Sequence, residues 1–97
     1  MYEWDEPKRL ATIDKHGIDF IDAIEIFEAK HLVLDARSDI ETRKIAVGVV
    51  GAISIAVVYT VRDDVIRIIT ARKARKNERL CYEALLAGRD PADERQN

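Results

Sequence analysis

Residues 43–70 read RKIAVGVVGAISIAVVYTVRDDVIRIIT, and this stretch decides the fold of the 97-residue chain. Residues 45–61 within it carry no charge, and their number just reaches the roughly 17–25 residues that a membrane-spanning helix needs. Ten of them are Ile, Val or Thr, and Gly48 and Gly51 interrupt the run. Such a composition favours strands, so we predict no membrane segment here.

The same stretch predicts an antiparallel meander. Strands are expected at Arg43–Val50 and Ile53–Arg62, joined by a turn at Gly51-Ala52. The polar residues Arg62-Asp63-Asp64 form a second turn, and residues 65–70 form the next strand. Upstream, residues 31–35 are rich in apolar residues and predict one short strand more.

Helix signals stand on both sides of the meander. Asp5 can cap a first helix that tolerates Pro7 in its opening turn and ends at Gly17. Asp19 caps a second helix, whose apolar side chains recur at three- and four-residue spacing. These side chains belong to Phe20, Ala23, Ile24 and Phe27.

A third helix is expected over residues 75–87, before Gly88, and the polar residues 89–97 are predicted to fray. The element order is therefore ααββββα. It predicts one α+β domain over residues 1–97, with two N-terminal helices, a four-stranded antiparallel sheet and a C-terminal helix.

Charge is unevenly distributed along the chain. The formal net charge is −2, which excludes a uniformly basic nucleic-acid-binding surface. Residues 1–41 hold 11 acidic and 5 basic residues, whereas residues 65–82 hold one acidic and six basic residues. An anionic partner is therefore expected to contact the C-terminal part.

Cys81 is the only cysteine, which excludes an intrachain disulfide and a two-cysteine zinc knuckle. The N-terminus is acidic where an export signal would be basic and then apolar. We therefore expect a reduced, cytoplasmic protein, and no metal or cofactor is predicted.

Two groups of residues resemble a known family. The first comprises Trp4-Asp5-Glu6-Pro7-Lys8-Arg9, Lys15-His16-Gly17 and Asp19-Phe20. The second comprises Arg67-Ile68-Ile69-Thr70-Ala71-Arg72, Glu78-Arg79 and Tyr82-Glu83. In order and spacing they resemble the N-terminal signature and the last strand and helix of the BrnT toxins of bacterial type II toxin–antitoxin systems.

The resemblance implies a RelE-like endoribonuclease toxin that cleaves RNA and inhibits translation and growth. It also implies a hetero-oligomer with a BrnA-type antitoxin protein, through which alone operator DNA would be contacted. Because the apolar residues of Ile53–Val61 lie on both faces of that strand, the antitoxin is expected to cover an exposed sheet face or the basic groove.

Three positions depart from the family pattern. Val49 and Tyr59 stand where many members carry Arg and His, and Arg75 replaces a Ser or Thr that opens the last helix three residues before Glu78. The last change predicts the loss of a capping box, at a cost of about 1 kcal/mol. These departures favour the alternative function, a catalytically inactive module that binds nucleic acid or antitoxin.

The basic stretch supplies most of the predicted site. Fixed guanidinium groups stabilise the charge that builds on phosphoryl oxygens when the 2′-OH attacks its own phosphate. We predict catalytic roles for Arg72, Arg79 and Lys76, which share one helix face if that helix starts early enough. Arg67, Lys73, Arg75 and Tyr82 are predicted to bind substrate. The alternative for each of these cations is a solvated surface position, and for Tyr82 a position in the core.

Acid–base groups are scarce. His16 is a candidate proton donor, with a helix C-terminal cap as its alternative, and Glu78 is a candidate base that could instead pair with Arg75 or Lys76. Arg67 and Arg72 are five residues apart and point to opposite faces of an unbroken strand. Both can serve one site only if a bulge intervenes or Arg72 lies beyond the strand.

Overall fold

The computed structural model describes residues 1–36 and 42–91. Five strands and four helical segments follow one another along this part of the chain. They are β1 Tyr2–Trp4, α1 Glu6–His16, α2 Phe20–Ala23, α3 Glu25–Glu28, β2 Leu32–Ala36, β3 Arg43–Val50, β4 Ile53–Arg62, β5 Val65–Lys73 and α4 Lys76–Leu86.

The strands form one mixed sheet in the order β1-β5-β4-β3-β2. The meander β2 to β5 is antiparallel, as predicted, but β1 adds a fifth strand that runs parallel to β5. The expectation of four purely antiparallel strands was therefore wrong. Three residues are too few to show an alternating pattern, and β1 is held by its pairing with residues 66–68 and by ring contacts of Tyr2 with Phe27 and Trp4 with Phe20.

The N-terminal helices follow the predicted caps with one correction. Gly17 has φ +68° and donates its N–H to the Ile13 carbonyl at 2.8 Å, which ends α1. The Asp19 carboxylate accepts the Ile21 N–H at 3.0 Å and starts α2. The second helix is not continuous: Phe27 donates to the Ile24 carbonyl three residues back, a tighter turn that separates α2 from α3.

Helices cover both faces of the sheet. A Cβ at Gly48 would lie 2.9 Å from the Ile26 Cβ, so α3 packs directly on the backbone of β3. The core on this face comprises Ile18, Phe20, Ala23, Ile26, Ala46, Ile55, Val57, Tyr59, Ile68 and Ala71. The opposite face packs under α4 through Leu32, Val47, Ala56 and Cys81.

The end of α4 is closed by a Schellman motif. Gly88 has φ +76° and donates to the Leu85 carbonyl at 3.1 Å, while Arg89 donates to the Ala84 carbonyl at 2.8 Å. Most of the tail predicted to fray, residues 92–97, lies outside the described residues.

Within residues 1–36 and 42–91, the longest helices have 11 residues, and none is long and apolar enough to cross a membrane.

Candidate active site

A bulge in β5 sets the direction of its two arginines. The pairing of β4 with β5 shifts between Val58 and Tyr59, which leaves Ile69 as an extra residue. As a result Arg67 lies opposite Thr60 and Arg72 lies opposite Ala56, two positions on the same face of β4. The bulge meets the condition under which Arg67 and Arg72 can serve one site. Both arginines point to the sheet face that α4 covers in part.

Arg72 is held by a buried carboxylate. Its Nη1 and Nη2 donate to Oε1 and Oε2 of Glu78 at 2.8 and 2.9 Å, and the Glu78 side chain is only 5% exposed. Oε1 also accepts the backbone N–H of Arg75 at 2.7 Å. One carboxylate thereby joins the end of β5 to the first turn of α4 and fixes the plane of the guanidinium.

The electrostatics of Glu78 disfavour an acid–base role. Burial alone raises its pKa, but the hydrogen bonds from Arg72 and from the Arg75 N–H outweigh burial, and the net pKa is lowered. The bond to Glu78 raises the pKa of Arg72 in turn. Both groups are charged at neutral pH, so Glu78 acts as a fixed anion that positions Arg72.

A cleft of about 410 Å³ opens beside this pair. It is bounded by the end of α1, the end of β5 and the residue before α4, and its walls are Lys15, His16, Arg72, Lys73 and Arg75. The two sequence signatures, far apart along the chain, thus meet at one place. His16 is partly exposed, and with four cations around it the cleft suits an anion.

The remaining predicted residues lie elsewhere. Arg67 is five positions back along β5, where its Nη1 lies 3.6 Å from Glu3 Oε1. Lys76 and Arg79 are exposed on α4 and do not line the cleft. Because α4 begins only at Lys76, Arg72 does not share a helix face with them, and the condition for that arrangement fails.

Tyr82 does not stand free at the surface. It is half-buried and packs against the apolar cluster under α4 around Cys81, the alternative core position that the sequence left open. The sulfur of Cys81 is also buried, and it contacts the Pro91 carbonyl at 3.5 Å.

The three departures from the family pattern have different surroundings. Tyr59 is buried and its ring meets Phe27 edge-on at 5.0 Å, so it belongs to the core. Val49 is 42% exposed on β3. At Arg75 the capping box is only half lost, because Glu78 still accepts the Arg75 N–H although a guanidinium offers no acceptor in return.

Lys15 is a cleft residue that the sequence reasoning did not select. The acidic excess of residues 1–41 argues against phosphate binding by that segment, and Lys15 is one of its few basic residues. The signal was present in the motif Lys15-His16-Gly17. Gly17 ends α1 at this point, and the cleft opens beside the last residues of that helix.

Chemically the cleft can bind a phosphodiester and donate a proton. The cations can neutralise phosphoryl oxygens, and the imidazole of His16 is a group in the cleft wall that can act as a general acid. Within the described part of the chain, no three His, Cys, Asp or Glu side chains are grouped to hold a metal ion.

Comparison with known proteins identifies the family of the chain. Residues 4–78 match the family described as the ribonuclease toxin BrnT of type II toxin–antitoxin systems. The crystal structure of the Brucella abortus ribonuclease toxin BrnT is similar with a TM-score of 0.64 and 38% identity, over 78% of this chain and 99% of that one. No curated protein matches the chain significantly. The chain therefore belongs to the BrnT family of ribonuclease toxins of type II toxin–antitoxin systems.

Proposed function

We propose that this ribonuclease toxin cleaves RNA internally at the cleft formed by Lys15, His16, Arg72, Lys73 and Arg75, and thereby inhibits translation and growth. The observation that carries the proposal is the meeting of the Lys15-His16 segment with the end of β5 around one cationic opening. The family supplies the activity class, and the cleft supplies the groups that such an activity needs.

The reaction that fits these groups is an internal transesterification. The ribose 2′-oxygen forms a bond to phosphorus and releases its proton to water, while the bond from phosphorus to the 5′-oxygen breaks. His16 gives its proton to the departing 5′-oxygen. The products are a 2′,3′-cyclic phosphate and a 5′-hydroxyl.

Arg72 is the fixed charge of this mechanism. The Nη1 and Nη2 atoms of Arg72 each donate one N–H to Glu78, and Nη1 also donates to the Lys73 carbonyl at 3.3 Å. A guanidinium has five N–H groups, so two remain for a phosphate. A cation held in place before the substrate arrives stabilises the transition state without reorganisation. Lys15 and Lys73 add mobile positive charge on either side, and Lys76, Arg79 and Arg67 contact flanking parts of the RNA.

The partner is proposed to be a BrnA-type antitoxin that forms a hetero-oligomer with the toxin in the cytoplasm. Membership of a type II system implies an antitoxin protein. A BrnA-type protein that covers the cationic cleft with acidic residues would exclude RNA, and contact with operator DNA would run through that protein alone.

Paired variants test the position of the site. Lys15→Ala with Lys73→Ala removes two charges from the cleft, and Lys76→Ala with Arg79→Ala removes two from the exposed face of α4. Each protein is induced in bacteria without antitoxin, and growth and RNA integrity are measured. We expect the cleft pair to restore growth and the α4 pair to remain substantially toxic; a larger loss of toxicity in the α4 pair would move the site to that helix.

His16→Gln tests the chemistry. Removal of a general acid slows such reactions by about 10²–10⁴-fold. We expect this loss in the rate of cleavage of an RNA oligonucleotide by purified protein, with the thermal unfolding temperature unchanged. A rate within a few-fold of the parent would exclude His16 as the acid.

The alternative function remains a catalytically inactive binding module. Val49 favours it, because it lies on β3 opposite Ser54, whose carbonyl accepts the N–H of Ala74 just beyond β5. The sheet therefore carries a valine near the end of β5, where the family resemblance implies arginine. Normal growth and intact RNA after induction of the parent chain would establish the inactive module.

A further inference from the structure

A second opening lies between α1 and the outer edge of β5, with a volume of about 290 Å³. Its walls include Lys8, Ala11, Thr12 and Ile69. Lys15 and His16 line both this groove and the cleft described above, so the two openings adjoin. We propose that this α1 groove binds the backbone of single-stranded RNA next to the cleaved phosphate, an inference that rests on the proposed function.

The groove exists because β1 is short. Its pairing covers β5 only at residues 66–68, and beyond Ile68 no strand among the described residues lies along the outer edge of β5. The side chains of α1 face this edge instead. Ala11 is small, and the Thr12 hydroxyl donates to the Lys8 carbonyl at 2.8 Å. The side chains in the middle of this helix face therefore leave the groove open.

The ionisable side chains that line the α1 groove are all basic. Lys8 and Lys15 lie two helical turns apart, about 10 Å along the axis, and both line the groove. The acidic residue at the start of α1, Glu6, is instead paired with Arg9, which also binds Asp19 at 3.0 Å. A polyanion that lies in the cleft therefore meets further positive charge when it continues along α1 toward Lys8.

Continuity with the cleft favours RNA over an acidic protein segment as the occupant. A chain whose phosphate sits beside His16 must leave the cleft, and the α1 groove begins at that same residue. The exposed lysines and the open edge of β5 offer charge and peptide groups rather than base-shaped pockets. Binding here is expected to be independent of base sequence.

The test uses oligonucleotides of 2′-O-methyl RNA, which lack the attacking hydroxyl and report binding whether or not the protein cleaves RNA. Lys8→Ala is compared with Lys30→Ala, which removes a charge that is also exposed but lies outside the groove. We expect Lys8→Ala to weaken hexanucleotide binding about five-fold and to reduce the slope of log affinity against log salt by about 0.7. Lys30→Ala keeps the parental affinity and slope.

A second pair separates charge from shape. Ala11→Glu places a carboxylate in the groove, and Ala11→Gln places a side chain of the same size without charge; both residues are good helix formers. We expect the Glu variant to bind the hexanucleotide at least five-fold more weakly than the Gln variant, with equal thermal unfolding temperatures. The gain in affinity from dinucleotide to hexanucleotide should also shrink in the Glu variant.

The inference is overturned if Lys8→Ala and Lys30→Ala behave alike, or if the two Ala11 variants bind equally well. It is also overturned if Lys8→Ala weakens the complex with antitoxin and leaves RNA affinity at the parental value, since the groove would then belong to the protein partner. Absence of cleavage by the parent chain would contradict the proposed function and leave these binding results interpretable.

Discussion

Arg67 and Arg72 lie on the same face of the same strand, and each is paired with one glutamate, yet their surroundings differ. The side chains of Arg67 and Glu3 are 37% and 46% exposed, and their closest charged atoms are 3.6 Å apart. The Arg72 side chain is 20% exposed, and it meets Glu78, 5% exposed, through two hydrogen bonds of 2.8 and 2.9 Å.

The contrast shows that burial and geometry, rather than charge, distinguish a positioned arginine from a solvated one. An exposed pair at the distance of Arg67 and Glu3 contributes roughly 0–1 kcal/mol and is screened by salt. A buried bidentate pair contributes less net stability than its Coulomb energy suggests, because both charges are desolvated. The main effect of the pair is to fix the orientation of the Arg72 guanidinium.

The largest expected effect comes from breaking the buried pair on one side only. Glu78→Ala leaves Arg72 without its anion and the Arg75 N–H without its acceptor. We expect the free energy of unfolding to fall by about 3 kcal/mol in urea denaturation. Glu3→Ala is the matched control, and a loss of equal size in both variants would refute the contrast.

Acid pH should weaken the Arg72–Glu78 pair without any change in the size of either side chain. The folded-state pKa of Glu78 lies below its unfolded value of about 4.3, so the stability it contributes is complete above that pH and is lost as pH falls through the folded pKa. Glu78→Gln should therefore be less stable than the parent by a constant amount above about pH 5, and the difference should narrow below about pH 4.

Urea unfolding of both proteins between neutral and acid pH measures this difference. The pKa of Asp19 is lowered too, chiefly by the hydrogen bond from the Ile21 N–H, but Asp19 is present in both proteins and cancels in the comparison. A difference that widens toward acid pH would contradict the assigned sign.

The smallest expected effect concerns the exposed pair. The double variant Glu3→Arg with Arg67→Glu exchanges the two charges across the β1 and β5 pairing. We expect it to unfold within about 0.5 kcal/mol of the parent, because exposed partners can reorient. A loss above about 1 kcal/mol would show that this pair is also geometrically fixed.

The elements that depend mainly on residues close together in the sequence were predicted correctly. The strands β3 and β4, which are rich in Ile and Val, fall at their predicted bounds, and Gly17 and Gly88 end their helices as expected. Strand β1 and the extension of β5 to Lys73 were not predicted, because both depend on partners distant in sequence.

The candidate site was predictable in part for the same reason. Its C-terminal cations stood out by their local density, whereas Lys15 enters the cleft only through the packing of α1 beside β5. The sequence offered Arg75 or Lys76 as partners of Glu78 because they are its helix neighbours. The partner with side-chain contact is Arg72, which the chain reversal between β5 and α4 brings into reach.

The parallel pairing of β1 with β5 has a consequence for synthesis of the toxin on the ribosome. Tyr2 is synthesised well before its partner Ile66, which lies 64 positions later in the chain. The cleft is likewise complete only after Arg72 and Arg75 have been synthesised, because they form the wall opposite Lys15 and His16. Such long-range contacts form late. A nascent chain that has not yet reached Arg75 therefore lacks one wall of the proposed active site, and we expect it to be inactive.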